Sequence, residues 1–232
     1  MNVEAFAPLA VILLAITTLV LLTSPDWRLS IGMLALQYIG VFVLVAVAWP
    51  LAMSVTKLVT GWIAGAVLGM SISGLSTERQ SAPQEPYLAS EEVETQPIAR
   101  RSLRPHAFNS FIAWSQSGSR LSGGLVRFFS AVILGLAVFS IAPAATDWVS
   151  GLTVEQAVGG LLLIGMGLLQ LGFAPAVLQT ILGLLTAAAG FEIFYAAIET
   201  STLVAGLLSM TNLGLALVGA YLLVAPQMEQ DE

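Results

Sequence analysis

The chain contains no cysteine and a single histidine, His106. Without thiolates there is no iron–sulfur ligation and no structural disulfide, although the redox compartment stays undecided. With one imidazole, bis-histidine haem ligation within the chain is impossible, which disfavours electron transfer by this chain alone. Charge is almost as scarce. Asp, Glu, Lys and Arg make up 9% of the residues, against about 25% in a soluble globular domain. The basic residues form no patch beyond Arg100, Arg101 and Arg104, so nucleic-acid binding is discounted. There is also no nucleophile–base constellation, glycine-rich phosphate loop or metal-ligand spacing. No catalytic centre, metal site or cofactor is expected, and no small-molecule substrate is evident.

What is abundant is apolar surface. Hydrophobic residues reach 57% and the mean hydropathy is +0.89, the composition of an integral membrane protein. The apolar runs are about the 20 residues that a helix needs to cross a bilayer. They are 5–23, 29–49, 51–73, 125–145, 154–173, 175–198 and 203–224. The expected fold is therefore an all-α, polytopic transmembrane bundle of about seven spans. Six would remain if the second and third formed a hairpin that does not fully cross. The first run begins Met-Asn-Val-Glu, lacks a basic n-region and meets Ser24-Pro25-Asp26. It reads as a retained helix, with a cleaved signal as the alternative.

Between the third and fourth runs the composition changes completely. The segment 74–124 is polar, and 76–96 is rich in Glu, Pro, Ser and Gln, too poor in apolar surface to order itself. Within it Phe108, Phe111 and Ile112 are spaced for a short headgroup-level helix over 106–117, with a disordered linker as the alternative. The chain thus divides into a three-helix segment (1–73), a cytoplasmic loop (74–124), a four-helix segment (125–226) and an acidic tail (227–232). Seven of eight basic residues, among them Arg28, Arg79, Arg120 and Arg127, lie in or beside the first and third connections. Positive-inside reasoning makes that side cytoplasmic, which places the N-terminus outside and the C-terminus inside.

Polar residues inside the spans are the functional candidates. Glu192 interrupts a long apolar run, and Lys57 interrupts the third span. A carboxylate or ammonium there costs roughly 2.5–3.5 kcal/mol on insertion scales, so it needs a partner, a cavity or a proton change. Counting about 1.5 Å per residue, both side chains fall roughly 6–8 Å outward of the bilayer centre, at matching depth. A Lys57–Glu192 pair is therefore geometrically possible. The alternative is that Lys57 snorkels to the outer interface while Glu192 is protonated and hydrogen-bonded to a neighbour. Asn212, with Thr211 and Ser209, forms a small polar cluster in the last span. Gln37, Gln170 and Gln179 are isolated amides, read as packing glue, and Glu199 reads as a solvated carboxylate at a helix end. Thr153 before Glu155 and Gln156 reads as a helix start. Gly61, Gly65 and Gly69 are spaced for close approach of a neighbouring helix.

Arg28 followed by Gly32-Met-Leu-Ala-Leu-Gln37, then a span holding Lys57, resembles the start of hydrogenase-4 component E-type membrane subunits. The last three spans carry Val177-Leu-Gln-Thr-Ile-Leu-Gly-Leu-Leu, Gly190-Phe-Glu192 and Met210-Thr-Asn-Leu-Gly. They resemble the K subunit of respiratory complex I and the C subunit of multisubunit cation/proton antiporters. The resemblance implies a subunit of an ion-translocating complex in a bacterial or archaeal inner membrane, with other membrane subunits as partners. Glu192 would relay protons, with Lys57 and Asn212 as the further relay candidates. Asn212 stands where the family has a second carboxylate, and Ala174-Pro175 replaces the usual basic turn. A largely structural subunit would fit both departures. The competing expectation is a stand-alone small transporter or membrane-anchoring scaffold.

Overall fold

The computed structural model describes residues 3–81 and 120–228. A short 3-10 turn, Val3–Phe6, leads into α1 (Ala7–Thr23). There follow α2 (Trp27–Ala48), α3 (Leu51–Ser81), α4 (Arg120–Trp148), α5 (Val154–Phe173), α6 (Val177–Ile198) and α7 (Thr202–Met228). The described residues form no strand, and these seven helices are each long and apolar enough to cross a membrane. Helices are what lipid demands, since every backbone donor and acceptor must be satisfied within the segment. Hydroxyls in the spans follow the same rule. Thr17, Thr18, Thr60, Ser209 and Thr211 each donate to a carbonyl of the preceding turn of their own helix.

The helix ends extend the spans that hydropathy predicts. α3 runs on to Ser81 and α4 starts at Arg120, both inside the stretch expected to be loop. For α3 the cause is propensity. Glu78, Arg79 and Gln80 are good helix formers, so the backbone ladder continues where apolar character stops. The loop between them, with the expected headgroup helix at 106–117 and residues Arg100, Arg101, Arg104 and His106, lies outside the described residues, as do the last four residues.

Neighbour relations define two facing layers. α1, α2 and α3 pack in sequence, as do α5, α6 and α7, with α1 against α5, α2 against α6 and α3 against α7. α4 lies beside this double layer, touching α5 and α1. Contacts fix which ends lie together. The Arg127 guanidinium at the start of α4 donates to Leu22 O and Phe173 O, near the ends of α1 and α5. At the opposite end Trp49 Nε1 donates to Glu199 O at 2.7 Å, joining the α2–α3 and α6–α7 connections. Facing helices therefore run parallel.

The tightest seam is α5 on α6. A methyl at Gly190 would lie 2.6 Å from Gly160 O, and one at Gly167 would lie 2.7 Å from Gly183 O. Within each helix the two glycines are seven residues apart, so both pairs meet in a single antiparallel register. Packing of this kind substitutes for the hydrophobic driving force that lipid cannot supply between helices. The glycines of α3 behave differently. Gly61 receives the face of the Tyr38 ring, and Gly65 and Gly69 look onto Ile31, so this stripe accommodates side chains of α2 and does not bring two backbones together.

Candidate functional site

Four helices, α2, α3, α6 and α7, enclose one polar centre. α3 and α6 share no extensive contact, since α2 and α7 fill the corners between them. Lys57 crosses that gap, and its Nζ donates to Glu192 Oε1 at 2.9 Å with the lysine side chain wholly buried. Asn212 Nδ2 from α7 donates to the same oxygen, also at 2.9 Å. Tyr38 from α2 is fully buried within electrostatic range of Glu192, its ring seated on Gly61 one turn from Lys57. Only glycine leaves room for that ring, because a methyl at position 61 would fall inside it.

The depth argument from sequence put Lys57 and Glu192 at matching depth, with a pair as one possibility, and they meet. Lys57 stands six residues into α3 and Glu192 six residues before the end of α6, about 9 Å from the same end of the bundle. One carboxylate oxygen thus takes both donors. Glu192 Oε2, Asn212 Oδ1 and the Tyr38 hydroxyl are buried with no hydrogen-bond partner among the described residues. The centre is therefore a lysine–glutamate pair braced on one side, with further lone pairs and a hydroxyl unpartnered among the described residues. Taking two ions out of water is expensive, and their attraction offsets this only where the geometry is good and other hydrogen bonds assist. Here Asn212 supplies the assistance.

The remaining candidates scatter. Ser209 and Thr211 bond back to their own helix, so Asn212 is alone in reaching the centre from α7. Glu199 is half-buried at the end of α6, its Oε1 accepting from Ser201 N just before α7. Trp49 is buried at the end of α2. Among the described residues, Gln37 is fully buried with neither amide atom bonded, and Gln170 Nε2 and Gln179 Oε1 also lack partners. None of these three atoms or groups forms the interhelical bond expected of a gluing amide. That role falls to Gln156. It completes a capping box with Thr153, and its Nε2 donates to Leu44 O of α2 at 3.0 Å. Composition pointed to the cap alone. Tyr38 was missed entirely, its one signal being an aromatic hydroxyl in mid-span. Compared with known proteins, the chain matches no family model, no curated protein and no solved structure.

Proposed function

We propose that this multi-pass membrane protein is a subunit of a complex I-like or hydrogenase-like ion-translocating assembly in a bacterial or archaeal inner membrane. It is structural, and it relays protons through Glu192. The observation that carries the reading is the buried Lys57–Glu192–Asn212 centre within a bundle of membrane-spanning helices. Intramembrane ionisable residues are costly and tend to mark ion or proton pathways. A carboxylate bonded through Oε1 and unbonded at Oε2 can take up and release a proton at the second oxygen, while Lys57 supplies or withdraws positive charge beside it. Asn212 cannot exchange protons, so its part is to orient the carboxylate. The basic residues orient the chain with the Arg28 and Arg127 end cytoplasmic and the Trp49 end outside.

Two experiments test this reading. Mild-detergent purification of the tagged chain from its native membrane, with mass spectrometry, should bring down antiporter-like and dehydrogenase- or hydrogenase-type subunits. Within that complex, Glu192→Gln should abolish proton translocation in the fraction that still assembles, since the variant also destabilises the chain. A lone chain active in isolation would instead mark a small transporter. Unchanged translocation in Glu192→Gln would reduce the protein to a scaffold. For orientation, outside labelling of a cysteine placed within 85–96 would overturn the assignment of sides.

A further inference from the structure

Buried polar side chains differ on the two sides of Glu192. Toward the Trp49 end they are matched. Ser54 donates to Pro50 O, Gln156 bonds Thr153 and Leu44 O, and Trp49 donates to Glu199 O. Toward the Arg127 end unmatched atoms collect. Both amide atoms of Gln37, the hydroxyls of Tyr38 and Thr186, Gln170 Nε2 and Gln179 Oε1 have no hydrogen-bond partner among the described residues. Glu192 Oε2 heads this series, and it too is unmatched.

The series is graded in depth. Counted inward from the Trp49–Glu199 bond at about 1.5 Å per residue, Glu192 lies at about 10 Å, Tyr38 at about 17 Å and Gln37 at about 18 Å. Thr186 follows at about 20 Å and Gln179 at about 30 Å. Gln170 shares with Gln179 and Arg127 a recess of about 10 Å³ at the inner end, room for about one water molecule. The helix faces agree. Thr186 and Gln179 are seven residues apart, two turns along one face of α6. Gln37 is seven residues before Leu44, whose side chain seats on Gly159 of α5, and Gln170 is eleven residues after Gly159. Each glutamine therefore stands on the face turned to the other's helix. Because Cβ tilts toward the N-terminus of its helix, Glu192 and Gln37 lean inward while Gln170 leans outward, which shortens the gaps between them.

An unmatched buried polar atom costs free energy, because it has given up water and gained no bond. Five such side chains on one side of the carboxylate make that side the one where entering water is favourable, since each water restores bonds that the packing withholds. The matched outer half offers water nothing comparable. We infer that protons reach Glu192 from the Arg127 end alone, past Gln170, Thr186, Gln37 and Tyr38, and that the Trp49 end is the seal. The inference rests on the reading of Glu192 as a proton-exchanging carboxylate. A hydronium gives one proton to Glu192 Oε2 and departs as water, while Lys57 stays on Oε1, so the pair gains a single positive charge. The other groups facing Glu192 are Tyr38 of α2 and Asn212 of α7, and the one charged residue of α5 is Glu155 in its first turn at the outer end. With that end sealed the chain exchanges protons without conducting them, and passage to the far side needs a partner subunit.

The test follows the Glu192 carboxyl in the infrared, with the purified full chain in lipid vesicles. The chain has no cysteine, so an impermeant thiol label on Ser90→Cys, between α3 and α4, sorts the vesicles by orientation. The Glu192 band is the part of the carboxyl absorption that Glu192→Gln removes. After a pH step confined to one face, the band should follow the Arg127 end and ignore the Trp49 end, while the vesicle interior holds its pH. Thr186→Val and Gln37→Leu remove unmatched atoms at nearly constant volume, so the fold is kept. Each should slow the response at least about tenfold, less than the roughly hundredfold of a single positioned proton-transfer group because the helices offer parallel steps. The midpoint of the band against pH should not move, and Thr186→Ser should restore the rate. Ser54→Ala, on the matched side, should change neither. A band that follows the Trp49 end or both ends, or an unslowed response in either Thr186→Val or Gln37→Leu, would overturn the entry route and leave Glu192 a titrating group. A Glu192 band that no pH produces would overturn the proton-exchange reading as well.

Discussion

Removing either partner of the Lys57–Glu192 pair strands a buried charge. The orphan's escape is to exchange a proton, and that sets the size of the effect. In Lys57→Met the lone carboxyl must be protonated. From an ordinary pKa of about 4.3 this costs about 3.7 kcal/mol at pH 7, at about 1.36 kcal/mol per unit. In Glu192→Gln the lone amine must shed its proton, and from about 10.4 this costs about 4.6 kcal/mol. Both values fall in the range of about 3–5 kcal/mol found when one partner of a buried pair is removed. The signs with pH are opposite. The Lys57→Met penalty shrinks as pH falls, because protonating the carboxyl becomes easier. The Glu192→Gln penalty shrinks as pH rises.

The double variant, Lys57→Met with Glu192→Gln, carries no charge, and its new amide oxygen can still accept from Asn212. Its stability should return to within about 1 kcal/mol of wild type, since a neutral replacement of a buried pair is often nearly free. Reversible SDS unfolding in mixed micelles, followed through the five tryptophans, measures all four species at three pH values. Single variants within about 0.5 kcal/mol of wild type would place them with ordinary surface changes. That result, or a double variant as unstable as the sum of the singles, would refute the ion-pair reasoning.

Four further outcomes follow from the packing, each read by the same unfolding measurement. Gly190→Ala should destabilise by about 1–3 kcal/mol or more, because its methyl meets the backbone at Gly160 O and at Ile164 N, 2.7 Å away, where no side chain can yield. Gly214→Ala, with nothing within 4 Å of the new methyl, should be neutral or stabilising by up to about 1 kcal/mol. Thr153→Ala should lose about 1 kcal/mol by opening the capping box at the start of α5. Trp49→Phe should lose about 0.5–1.5 kcal/mol through the bond to Glu199 O.

The spans were legible because a bilayer imposes one length on every apolar run, and composition alone reports it. The Lys57–Glu192 pair was legible for a related reason. Depth is counted along a single helix, so two polar residues can be compared without knowing how the helices pack. Lateral facts are different in kind. Which glycines bring backbones together depends on the register of two helices, and the stripe at Gly61, Gly65 and Gly69 proved to face side chains of α2. The true seam did leave a trace, a seven-residue glycine spacing shared by two consecutive spans, but only its recurrence in the partner helix gives it meaning. The third hydrogen bond of Gln156, the place of Tyr38 over Gly61 and the reach of Arg127 to two helix ends are all relations across helices. Hydropathy carries no information about them.

The two ends of the polar centre are set by one hydrogen bond far from it. Lys57 lies eight residues after Trp49, and Glu192 lies seven before Glu199. Trp49 Nε1 on Glu199 O ties those two reference points together outside the spans. From this tie both helices run into the bundle with the same rise, about 1.5 Å per residue, so the two side chains arrive at depths differing by only about one residue. A slip of one helical turn in α6 would carry Glu192 about 5.4 Å away from Lys57, well beyond the 2.9 Å they now share. Slippage is opposed from the other side as well, since the glycine seam locks α6 onto α5 in one register. Glu192 therefore stands on the helix with the least freedom to slide, while its cation is carried on a long side chain from a helix that does not pack directly against α6. Such a division fixes the carboxylate and leaves adjustment to the longer lysine side chain.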